Sequence, residues 1–206
     1  MVRQDGNRGP YAKGIVHRQQ ILSAALELFA RQGYEASTLS AIAKSAGITR
    51  EAVRHYFGSR DDVFLAIIDA QDAAGHEHAP SSDEDLFYQI VKNASRNSAI
   101  PGLSALYATL TARAVIEQDS PTSRSLKRRM SQLRSEIAEG IRRSQEVGII
   151  RNDITPETLA AIILATADGL TTQSALPDAT DVTTGMHALQ ILMTVSPTVP
   201  ADLLGR

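Results

Sequence analysis

The strongest constraint in this 206-residue chain is Leu39–Gly58, LSAIAKSAGITREAVRHYFG, whose apolar spacing cannot continue as one helix. Two short helices can cross steeply through a tight turn only under three conditions. A small residue must sit where their backbones approach, a glycine must make the turn, and a branched residue must fill the angle between them. Ala43, Gly47 and Val53 supply these, and Ile42, Ala46, Ile48 and Tyr56 fill the other inward positions. The spacing therefore predicts a helix–turn–helix. Thr38 or Ser37 caps its first helix, which runs through Ser45; Thr49 caps its second, Arg50 to Phe57, and Gly58 ends it.

Upstream, Leu22, Ala25, Leu26 and Phe29 lie on one face of a supporting helix over residues 15–31 that stops before Gly33. Residues 1–14, with Gly6, Gly9, Pro10 and Gly14, read as a flexible arm: either a disordered tail or a basic arm that touches nucleic acid. Downstream, Ser59 and Asp62 resemble a capping box that opens a helix towards Ala74. A loop is expected at Gly75–Ser82, then helices at 82–98, 101–118, 121–147, 156–175 and 181–195, with Pro101, Pro121 and Pro156 near their starts. The fold class is thus all-α, with an arm (1–14), a helix–turn–helix domain (15–60) and a larger helical domain (61–206).

A net charge of −2 hides an asymmetry, because residues 1–60 carry +5 and residues 61–206 carry −7. A basic first third containing a helix–turn–helix is the footprint of a polyanion-binding module. With no cysteine there is no disulfide framework, thiolate metal site or cysteine nucleophile. No run of about 18 apolar residues is present and the N-terminus has no apolar h-region, so a cytoplasmic protein without a membrane span is expected.

The chemistry follows residue by residue. Arg50, Glu51 and Arg54 occupy the turn and a half that can enter a major groove, with Ala52 small enough to allow approach. Arginine donates a pair of hydrogen bonds to guanine O6 and N7, and a glutamate accepts from cytosine N4. Thr38, Thr49, His55, Tyr56 and Arg60 are the candidate phosphate contacts, which set register without reading sequence. Each has a plainer role open to it: Thr38 as an N-cap, Tyr56 as a core aromatic, Arg60 as a solvated charge.

Other features are weaker. His76 and His78 lack further ligating neighbours and read as part of a polar connector, so no metal or cofactor is expected. The basic run Arg124–Arg143 is interleaved with Glu136 and Glu139 and backed by Leu126, Met130, Leu133 and Ile137, which suits a solvated helix face. No nucleophile elbow, P-loop or dinucleotide fingerprint is present, so an enzyme is not expected.

Residues 21–68, ILSAALELFARQGYEASTLSAIAKSAGITREAVRHYFGSRDDVFLAII, resemble the signature of the tetracycline-repressor (TetR) family of transcriptional regulators. The resemblance covers about a quarter of the chain. Glu51 stands where many members carry glycine, and Arg54 where a tyrosine is frequent, which implies a different operator. The family likeness implies a repressor that leaves a palindromic operator when a small effector binds the larger domain; the alternative is control by a protein partner. It also implies a homodimer through the last two long helices, about 156–175 and 181–195. Their apolar residues (Leu159, Ala160, Ile163, Leu164, Ala167, Met186, Leu189, Ile191, Leu192, Met193) could instead serve only the monomer's core. Effector-contacting residues remain unassigned; Tyr88, Asn93, Tyr107, Thr111, Arg113, Asp168 and Gln173 are the polar candidates.

Overall fold

The computed structural model describes residues 10–76, 86–178 and 181–195. They form α1 (Pro10–Ala36), α2 (Leu39–Ala46), α3 (Arg50–Tyr56), α4 (Arg60–His76), α5 (Leu86–Ser98), α6 (Leu103–Ile116), α7 (Pro121–Glu146), α8 (Pro156–Gln173) and α9 (Val182–Met193). The described residues hold no strand; one isolated antiparallel bridge joins Ile150 to Thr194, with the Arg151 N–H donating to Met193 O at 3.0 Å.

Local chemistry sets the helix ends. Thr38, Thr49, Ser120, Thr155 and Asp181 each accept a backbone N–H from three residues on, and so satisfy amide groups left without partners by the first turn. Ser59 and Asp62 form a reciprocal box, Ser59 N–H to Asp62 Oδ2 at 2.8 Å and Asp62 N–H to Ser59 Oγ at 3.1 Å, even though aspartate stands in for the usual glutamate. Pro121 and Pro156 occupy first turns, where a missing N–H costs nothing.

Several boundaries differ from the sequence reading. Helix α1 begins at Pro10, so residues 10–14 of the expected arm are helical, while residues 1–9 lie outside the described residues. The same element runs on to Ala36 through a break at Gly33 (φ 76°, ψ −176°). The loop expected from Gly75 starts later, because Gly75 and His76 belong to α4; Gly75 is buried so closely on Asn93 that a Cβ would lie 2.9 Å from its Nδ2. Packing of that kind overrides glycine's poor helix propensity. The remainder of that loop, residues 77–82, lies outside the described residues.

Two apolar clusters hold the chain together. The first unites Ile21, Ala25 and Phe29 of α1, Ile42 of α2 and Val53 of α3 with Val63, Phe64 and Ile67 of α4, Leu106 and Leu110 of α6, and Leu126 of α7. The helix–turn–helix head therefore shares its core with the helices that follow it. The second joins Phe87 and Val91 (α5), Ile137 and Ile141 (α7), Leu159 and Ile163 (α8), and Met186 and Met193 (α9), with Ile150 beneath. Movement in α4, α6 or α7 is thus felt by the head through packed side chains.

Candidate nucleic-acid interface

Helices α2 and α3 are separate elements packed on each other, and Gly47 makes the bend between them. Gly47 sits at φ 67°, ψ 29°, a left-handed conformation that costs glycine little. Its N–H donates to Lys44 O at 3.3 Å and that of Ile48 to Ala43 O at 3.1 Å, closing the helix end. Ile42, Ala43, Ala46 and Val53 are buried, Val53 and Ile42 completely, and Ile48 and Tyr56 pack against the same cluster. A further brace comes from α1, where Gln20 Nε2 donates to Ala46 O at 2.9 Å.

Burying Val53 turns the other side of α3 outward. Arg50, Glu51, Arg54 and His55 are exposed, Ala52 is half-buried between them, and Thr38 and Thr49 at the two N-caps are exposed as well. Neither Arg50 nor Arg54 makes an ion pair among the described residues, so both guanidinium groups are free to meet a ligand. Tyr56 is half-buried against Phe57 and edge-on to His55, and its hydroxyl lies beside Gly14 of α1. Arg60 behaves differently from its neighbours: its Nη1 donates to Tyr34 O at 2.9 Å and its guanidinium lies 3.8 Å from the centre of the Tyr34 ring.

Two polar clusters lie behind this head, and the first ties it to the rest of the chain. At the first, Asp61 accepts from the Tyr34 hydroxyl and from Thr122 Oγ1 (3.1 Å), joining α1, α4 and α7. Burial, reinforced by Asp61, pushes the Tyr34 hydroxyl up to about 12. The second runs across the larger domain. Arg129 (α7) binds both carboxylate oxygens of Asp72 (α4), at 2.5 and 2.9 Å, and donates to the Tyr107 hydroxyl (α6) at 3.3 Å; Tyr107 in turn donates to Asp168 (α8) at 3.2 Å. Burial raises the Asp168 carboxyl above its ordinary range against the pull of Arg129, and burial followed by the nearby Asp168 charge takes Tyr107 to about 12.

Among the polar candidates for effector contact, the structure places Tyr107 and Asp168 in this relay and Arg113 in the Tyr34 cluster, whereas Tyr88, Thr111 and Gln173 are exposed and Asn93 packs on Gly75. Arg129 departs from the expected solvated face of α7. It lies three residues after Leu126 and four before Leu133, which is the spacing of the buried stripe, and that signal was present in the sequence. Lys127, Arg128 and Arg134 remain exposed as expected. Among the described residues no group of three or more His, Asp or Glu side chains comes together to hold a metal, and no single helix is long and apolar enough to cross a membrane.

A braced two-helix unit whose second helix turns unpaired arginines outward defines a helix–turn–helix, DNA-binding transcriptional regulator. Sequence comparison makes the class specific. Residues 21–67 match the bacterial regulatory proteins of the tetR family, and residues 101–195 match the C-terminal domain of BetI-type transcriptional repressors. The chain belongs to the TetR family. It is 25% identical over 173 residues to the HTH-type transcriptional repressor AcnR of Corynebacterium efficiens, covering 82% of this chain and 87% of that one. The crystal structure of a putative TetR-family regulator from Rhodococcus sp. superposes with a TM-score of 0.73 at 21% identity, over 86% of this chain and 98% of that one. A regulator from Saccharomonospora viridis in complex with choline superposes with a TM-score of 0.65 at 21% identity, over 88% and 100%.

Proposed function

We propose that the protein is a homodimeric repressor that holds a pseudo-palindromic operator through two copies of α3 and leaves it when a small molecule occupies the larger domain. The observation that carries this reading is the outward face of α3: Arg50, Glu51 and Arg54 are exposed on a helix whose Val53 is completely buried. Arg50 and Arg54 read guanines and Glu51 reads a cytosine, each good pair discriminating by roughly 1–3 kcal/mol. Thr38, Thr49, His55 and Tyr56 hold phosphates. Arg60, with its donors drawn towards Tyr34 O and Glu35 O, serves the joint behind the head instead.

The dimer forms through α8 and α9, which leave Ile162, Ile191 and Leu192 exposed along their outer faces, Ile191 and Leu192 at 75% and 71%. Closed two-fold pairing uses the same patch on both chains, so these faces cover each other. The choline complex of the Saccharomonospora regulator supports a small organic effector for this fold. Release follows from linkage: an effector that binds best when the heads are out of register lowers operator affinity by that preference, and the operator lowers effector affinity equally. Helix α4 is the lever, because it begins in the head's core and carries Asp72 into the relay.

The test is selection of a duplex from random sequence by the full chain, followed by fluorescence anisotropy over a salt series. A two-fold symmetric site and an affinity that falls steeply with salt are expected, since phosphate contacts release counterions. A flat salt dependence contradicts the reading.

A further inference from the structure

The Tyr34 cluster joins head to body through contacts that α6 and α7 supply from the body side. The Arg113 guanidinium lies 4.6 Å from the centre of the Tyr34 ring, on which Arg60 also stacks at 3.8 Å. Arg113 Nη2 is 3.9 Å from Asp61 Oδ2 and 3.0 Å from Glu117 Oε1. Thr122 at the start of α7 reaches the same Asp61 oxygen. Close by, Gly102 before α6 approaches Ala30 of α1 so tightly that a Cβ would lie 2.6 Å from the Ala30 Cβ. The end of α1, the start of α4, the end of α6 and the start of α7 therefore meet around Tyr34 and Asp61, while the start of α6 packs on α1 at Ala30.

Arg113 is a poor choice if stability were its only purpose. Its Nε is buried with no hydrogen-bond partner, and a buried unpaired donor carries a penalty that a shorter or apolar side chain would avoid. What a guanidinium adds is a plane that fixes direction, since it can lie flat on an aromatic ring while its edge meets carboxylates. A planar contact on the last turn of α1 adds a direction-specific constraint on how the head tilts.

We propose that Arg113 is a positioning residue whose stack on Tyr34 sets the tilt of the DNA-reading head and thereby the operator half-site spacing that the dimer accepts. This rests on the dimeric reading above. Each base pair inserted between half-sites moves the second site by about 3.4 Å and turns it by about 35°, so a head of fixed tilt tolerates few spacings. A head released from Arg113 tolerates more.

The test uses the full chain with Arg113→Met, which keeps bulk, and Arg113→Lys, which keeps charge but loses the plane. Affinities are measured by anisotropy on the selected operator, on versions with one or two base pairs added or removed between half-sites, and on an isolated half-site. The oligomeric state of each protein is measured by light scattering. The wild type should lose about tenfold in affinity for a one-base-pair change, and both variants only about threefold, a difference on the scale of one guanidinium–aromatic contact. Their half-site affinities should match the wild type. The inference is overturned if both variants keep the wild-type spacing preference, or if half-site and operator affinities fall together, which would make Arg113 a stabiliser of the head and nothing more. A wild type that is monomeric, or indifferent to spacing, would instead refute the dimeric reading and the inference with it.

Discussion

Gly47 and Gly102 both adopt a left-handed backbone, at φ 67° and 79°, yet alanine at the two positions should have different consequences. An alanine at Gly47 meets nothing within 4 Å, so its cost is the backbone conformation alone. That is roughly 1–2 kcal/mol, partly offset by about 0.4–1 kcal/mol from the stiffer unfolded chain, for a net near 1 kcal/mol. At Gly102 the new Cβ would stand 2.6 Å from the Ala30 Cβ and 3.0 Å from its Cα. Carbon atoms prefer about 3.5–4.0 Å, so α1 and the start of α6 must part by about 1 Å. Overpacking of that kind adds about 1–3 kcal/mol to the conformational term. Urea unfolding followed by helical circular dichroism should place Gly102→Ala about 2 kcal/mol below Gly47→Ala at matched slope, and the thermal midpoints about 4–8 °C apart. Equal losses would refute the steric part of this reasoning, and a milder Gly102→Ala would refute all of it.

Two further outcomes are expected. The folded chain holds the Asp168 proton more tightly than the unfolded chain does, so stability present at acid pH is lost as pH rises through the raised folded value. Asp168→Asn should remove that loss and be more stable than wild type at neutral pH, with the two thermal midpoints converging in acid; a less stable asparagine variant at neutral pH would show that burial is not what governs this carboxyl. Leu192→Glu places a charge on a surface already 71% exposed in the single chain, so it should give a folded monomer by light scattering with unchanged helical content, whereas a dimer of wild-type size would remove α9 from the interface.

The head was legible in the sequence because its determinants are local. Capping by Thr38 and Thr49, the turn at Gly47 and the plug at Val53 each depend on residues a few positions apart, and all recur in the structure. The helix ends after Ser120, Thr155 and Asp181 follow the same local logic. The relay was not legible, since Asp72, Tyr107, Arg129 and Asp168 lie on four helices and their meeting depends on how those helices pack. The second setting of Arg60 was hidden for a related reason: its place beside a helix start suits a phosphate, while the Tyr34 and Glu35 carbonyls that accept from its Nη1 lie 26 and 25 residues away in sequence. Tyr34 itself carries no local sign that two guanidinium groups will stack on it.

The most direct test of a base-reading α3 compares selected duplex sequences for the wild type, Arg54→Ala and Tyr56→Phe. Arg54→Ala should lose discrimination of about 1–3 kcal/mol at one position in each half-site and leave the other positions intact. Tyr56→Phe should weaken binding to every sequence alike. An unchanged base preference in Arg54→Ala would contradict the account.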